Sequence, residues 1–89
     1  MIEQSVDLVI SQVKERVFIV LKSENLQLSR SECDQQFKND KAVRFMIRDL
    51  NKRFPSKQLS FLRVNEEIEN YSLTILDSMS EALKEKAVV

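Results

Sequence analysis

The 89-residue sequence contains no Gly and no His, one Cys and one Pro. Average usage of about 7% would place roughly six Gly in a chain of this length. Tight hairpins and phosphate-cradling loops depend on Gly, so neither a P-loop nor a dinucleotide fingerprint is present. The lack of His removes the Ser-His-Asp triad, the Cys-His pair and every imidazole metal ligand. Cys33 is alone, so no intrachain disulfide forms, and a single reduced thiol fits a cytoplasmic setting. No run approaches the ~20 apolar residues of a membrane span, because Lys14, Glu15 and Arg16 interrupt the best one. Glu3 and Asp7 precede the first base, the wrong pattern for a signal peptide.

What is present is a composition that folds: 43% hydrophobic and 31% charged residues, enough for one domain over residues 1–89. A core this small is marginal, and with neither disulfide nor metal to reinforce it, oligomerisation is the expected support. Scarce Gly and Pro point to helices joined by short loops.

The longest pattern is Ile2 to Leu21. Ile2, Val6, Val9, Ile10, Val13, Val17, Val20 and Leu21 recur at steps of three and four, within a stripe about 120° wide on one helix face. The helix should end near Asn25, in the left-handed C-terminal position that Asn tolerates. Val17–Leu21 also fits a short buried strand with Leu26-Gln27-Leu28 as hairpin partner, but the unbroken phase of the stripe favours helix. Opposite the main stripe, Leu8 and Ile19 align with Gln12 and Glu15, and this thinner second face predicts contacts with a subunit or partner.

Ser29-Arg30-Ser31-Glu32 matches a Ser-x-x-Glu capping box and predicts a short helix to about Lys38, with Cys33 and Phe37 inward. Asp40 is a good N-cap for a third helix, Lys41 to Phe54, whose apolar face is Val43, Met46, Ile47, Leu50 and Phe54. Pro55 ends it. From Ser56 on, Phe61, Val64, Ile68, Tyr71, Ile75 and Ala82 fit a heptad, widened by Leu62, Leu76, Met79 and Leu83. One helix from Ser56 to Lys86 would measure ~45 Å at about 1.5 Å per residue. A compact globule of this length spans about 25 Å. The helix therefore either protrudes and packs on another chain or breaks near Asn65, where an Asn cap precedes Glu66 and Glu67.

Charge carries the one functional signal. Lys+Arg and Asp+Glu both number 14, so the net charge is zero, yet the distribution is uneven. Met1–Ser29 has three bases and four acids, Arg30–Arg63 nine and four, Val64–Val89 two and six. On the third helix Lys41, Arg44, Arg48 and Lys52 project within a sector of about 80°, given ~100° per residue, opposite the apolar face. Phe45 sits inside that sector. A row of bases with an exposed aromatic fits nucleic-acid phosphates and bases, and the two short helices have the outline of a helix-turn-helix. Arg around an aromatic is equally an anchor for a protein partner, and a pI near 6.3 is low for a dedicated nucleic-acid binder. Glu66, Glu67 and Glu69 read as a solvated acidic face rather than a cation site. Cys33, paired with Phe37, reads as a small core residue.

The resulting expectation is an all-α bundle of three or four helices, completed by homodimerisation through the first and last. Leu8, Ile19, Phe61, Ile68 and Ile75 are the expected oligomer contacts. The expected function is a non-enzymatic protein–protein interaction module without catalytic residues, metal or cofactor. Its partner surface is Lys41, Arg44, Phe45, Arg48 and Lys52, and nucleic-acid binding through the same basic residues is the alternative.

Overall fold

Ser5 fixes where the first helix begins. Its hydroxyl accepts a hydrogen bond from the Leu8 backbone N–H at 3.1 Å, and α1 spans Val6–Glu24. The computed structural model of the chain describes residues 4–56, 58–59 and 61–87, the side chains of 4, 61, 62, 86 and 87 excepted. Just before the cap, β1 (Gln4–Ser5) pairs antiparallel with β2 (Gln58–Leu59), Gln4 opposite Leu59 and Ser5 opposite Gln58. The helix expected from Ile2 thus starts four residues later, because the chain at Gln4–Ser5 is held extended by that pairing and Ser5 then caps. Ile2 itself lies outside the described residues.

Val17–Leu21 is helical, with Val17 and Leu21 buried, so the hairpin alternative does not form. α1 ends at Glu24 with Asn25 as its C-cap, where the sequence places the stop, but the cap conformation differs. Asn25 has φ −134°, an extended rather than left-handed cap, and its N–H donates to the Leu21 carbonyl at 2.9 Å. Lys22 Nζ supplies the turn instead, donating to the carbonyls of Leu26 (2.6 Å) and Leu28 (2.9 Å) and folding buried Leu28 beneath the helix end.

At α2 (Arg30–Asn39) the Ser29 hydroxyl accepts from the Glu32 N–H at 3.1 Å and donates to the Glu32 carboxylate at 3.0 Å. Asp40 alone joins α2 to α3 (Lys41–Arg53), ending one helix and capping the next. It is 5% exposed. One carboxylate oxygen accepts from the Ala42 N–H (2.8 Å), the other from the Ser78 hydroxyl (2.8 Å), so this cap also pins α3 to the last helix. Phe54 closes α3 before Pro55.

The last helix, α4 (Phe61–Ala87), runs through Asn65 without a break. It starts five residues later than expected, because a turn at Pro55–Ser56 and then β2 occupy the intervening chain. Its 27 residues extend about 40 Å. The molecule measures 47 × 22 × 19 Å, with a Cα radius of gyration of 13.7 Å. A compact chain of this length would have about 12 Å. The choice between protrusion and a break assumed a more nearly spherical molecule than the one that forms. The chain elongates, and its own helices line α4.

Both α1 and α4 leave the strand pair in the same direction, and Leu21 and Glu24 end up beside Ser80 and Leu83. This is the most extensive helix pairing. α3 runs antiparallel to α4, with Arg53 beside Glu67 and Asp40 beside Ser78. α2 lies against α1 through Arg30–Glu15 and Lys14–Asp34 ion pairs. The four helices among the described residues close on one core. It holds Val9, Val13 and Val17 of α1, Cys33 and Phe37 of α2, Met46 and Leu50 of α3, and Ile75 and Met79 of α4. The fold is all-α, and no described helix is long and apolar enough to cross a membrane.

Candidate functional site

α3 buries Val43, Met46 and Leu50 and turns its other side outward. Lys41, Arg44, Arg48 and Lys52 are all exposed there, and Phe45 among them is 65% exposed. The Arg44 guanidinium donates to the Asn39 carbonyl at 3.2 Å, and none of the four bases has an ion-pair partner among the described residues. Ile47, expected inward, is 37% exposed and widens the apolar part of the surface. An exposed aromatic ring beside a row of bases without ion-pair partners among the described residues can take up an acidic, partly apolar counter-surface. All four bases and Phe45 lie exposed on α3 away from its buried residues.

The helix-turn-helix outline does not survive. Such motifs join their helices by about three to four residues, whereas here Asp40 is the entire junction and is buried. An open polar groove between this junction and α4 sets Lys41 against Asp77, Glu81 and Glu85, acids that would repel a phosphate backbone.

The sequence reading missed the polar cluster between α3 and α4. Glu67, expected on a solvated acidic face, is 7% exposed. Arg53 clamps it bidentately, Nη1 to Oε1 at 2.9 Å and Nη2 to Oε2 at 2.7 Å. The same guanidinium donates from Nε to Asp49 (3.1 Å) and from Nη2 to the Tyr71 hydroxyl (3.0 Å), and Tyr71 donates to Asp49. Hydrogen bonding to Glu67 raises the Arg53 pKa, so the cation is never lost. Burial first, and the bond to Asp49 second, push the Tyr71 phenol up to about 12. The missed signal is positional: Glu67 is three residues after Val64 and four before Tyr71, and therefore on the apolar side of α4.

A second polar contact binds α1 to α2. Arg30 meets Glu15 bidentately at 2.7 and 3.0 Å while its guanidinium stacks 4.0 Å from the Phe18 ring centroid. The hydrogen bond to Arg30 lowers the Glu15 pKa.

The expected oligomer contacts scatter. Ile68 and Ile75 are 9% and 0% exposed within the chain's own core, so they cannot serve as outer contacts in this fold. They occupy the heptad seam that α1 and α3 already cover. The side chain of Phe61 lies outside the described residues. Leu8 is half-buried, and Ile19 is 64% exposed. Ile19 borders a groove between α1 and α4 with Gln12, Arg16, Asn65, Ile68 and Glu69.

Cys33 is fully buried, and burial pushes its thiol pKa up, away from the reactive thiolate that a helix start can favour. Among the described residues, Asp, Glu and Cys side chains nowhere gather in threes that could hold a metal ion. Comparison with protein-family models, with curated protein sequences and with solved structures finds no match.

Proposed function

We propose that this chain is a non-enzymatic, cytoplasmic interaction module, an adaptor, regulator or assembly subunit, that offers the outer face of α3 to an acidic surface of another protein. One observation carries the reading: Phe45 stands 65% exposed among Lys41, Arg44, Arg48 and Lys52, bases without an ion-pair partner among the described residues. Arg and aromatic residues dominate the binding energy of protein contacts, whereas exposed bases on a merely solvated face need no aromatic in their midst. Asp77, Glu81 and Glu85 border this face at Lys41 and limit how far an acidic counter-surface can extend past it.

The test compares proteins captured by the wild type, by Phe45→Ala and by the pair Arg44→Glu/Arg48→Glu. A partner retained by the wild type and lost from both variants, all three showing the same circular dichroism and melting temperature, is the expected result. Fluorescence anisotropy with duplex and single-stranded oligonucleotides at low salt is the second arm. Binding there that falls steeply with salt and vanishes in Arg44→Glu/Arg48→Glu would replace the protein reading with nucleic-acid binding.

A further inference from the structure

The groove between α1 and α4 is lined by residues of those two helices and by none of α3. Along α1 it is bordered by Gln12, Arg16 and Ile19. Along α4 it is bordered by Asn65, Ile68 and Glu69, and Leu73 continues the same flank one turn after Glu69. The two most exposed large apolar side chains on this side are Ile19 at 64% and Leu73 at 60%, while Val20 and Leu76 are half-buried. This is the second, thinner apolar stripe of α1, and it meets an apolar flank of α4 rather than standing alone.

The charges beside it are of both signs. Glu15 is occupied by Arg30, but Arg16 on one helix and Glu69 on the other are exposed and make no ion pair among the described residues. A face carrying one cation and one anion on opposite sides of an apolar strip complements itself under a two-fold rotation. The rotation brings Arg16 of each copy to Glu69 of the other and closes Ile19 and Leu73 of both into one apolar centre. A wholly acidic or wholly basic partner would leave one of the two charges facing its own sign. Zero net charge removes the long-range repulsion between like copies.

We propose that a second copy of this chain docks on the α1–α4 groove, forming an isologous dimer centred on Ile19 and Leu73 with reciprocal Arg16–Glu69 pairs. The two α1–α4 layers then make a four-helix interface, and the basic α3 face of each copy stays free.

Sedimentation equilibrium over a micromolar-to-millimolar series tests it. The wild type should dimerise, and Ile19→Glu and Leu73→Glu should each be monomeric with unchanged circular dichroism and melting temperature, since both side chains already face solvent. Arg16→Glu and Glu69→Arg each reverse two contacts per dimer, so each should weaken association by about tenfold or more. Arg16→Glu combined with Glu69→Arg should recover it, which loss of packing alone would not allow. A wild type that stays monomeric throughout overturns the proposal. So does a dimer that survives Ile19→Glu and Leu73→Glu, or one that dissociates only on Phe45→Ala, because the copies would then meet elsewhere.

Discussion

Glu67 and Arg53 form a pair whose members are unequally placed: the carboxylate side chain is 10% exposed and the guanidinium side chain 37%. Removing the exposed member is the more damaging change, because it leaves a buried anion without the guanidinium that clamps it. Arg53→Met keeps the aliphatic stem over Phe54 and deletes the charge, and should cost about 2 kcal/mol in urea denaturation, in the range for hydrogen bonds to charged groups. Arg53→Ala should cost more by losing that packing as well. Tyr71 is the only tyrosine in the chain, so its titration can be followed directly by phenolate absorbance. The folded protein should titrate near 12, against an ordinary value of 10.0. In that interval the folded state holds a proton that the unfolded state has released, so stability is full below about pH 10 and falls as pH rises towards 12. Tyr71→Phe should lose that part of the alkaline fall. A midpoint near the ordinary value in the folded wild type would contradict the described burial and the bond to Asp49.

Among the elements, the α2–α3 junction depends on one side chain. Asp40 caps α3 through Ala42 and reaches Ser78 on α4, so Asp40→Ala combines a lost cap with a lost helix–helix tie. Loss of a cap alone costs about 1 kcal/mol, and a buried tie adds a similar amount. Asp40→Ala is therefore expected to destabilise by about 2 kcal/mol and Ser78→Ala by about half of that, both read from chemical denaturation. Equal losses in the two variants would mean that the cap itself contributes nothing. Ile75 on α4 and Phe45 on α3 show the contrast between a seam and an outer face. Ile75, 0% exposed, should cost about 3 kcal/mol on truncation to Ala. Exposed Phe45 on α3 should change stability by less than about 0.5 kcal/mol on the same truncation.

For the whole molecule, elongation is the distinctive property. α4 exceeds the reach of α1 and α3 individually, and together they line it. Small-angle scattering of the monomeric Ile19→Glu variant should give a maximum dimension near the 47 Å long axis, with the shape of a prolate body. A profile typical of a sphere, with a radius of gyration near the roughly 12 Å of a compact chain, would contradict the arrangement. The strongest pairing joins helices at opposite ends of the sequence, so α1 and α4 become stable together or not at all. Hydrogen exchange should therefore show their central amides, around Val13 and Ile75, protected to a similar degree, and Arg53→Met should loosen both.

Much of this was legible in the residues. The capping Ser29 and Asp40, the stop at Pro55, the buried faces of α1 and α3 and the four-base sector around Phe45 are short-range facts, set by helix periodicity and backbone chemistry within a few residues. What the sequence could not decide depends on which faces meet. Ile2 and Val6 carry the same apolar signal, but the pairing of Gln4–Ser5 with Gln58–Leu59, more than fifty residues apart, sets the start of α1 at Val6. Glu67 resembled its neighbours Glu66 and Glu69 until α3 placed Arg53 opposite it. Ile68 and Ile75 looked available to a second chain until α1 and α3 covered them, whereas Ile19 and Leu73 were left uncovered. Local pattern determines which side of a helix is apolar. Only packing decides which neighbour buries it, because each burial depends on contacts between residues that the chain order keeps apart.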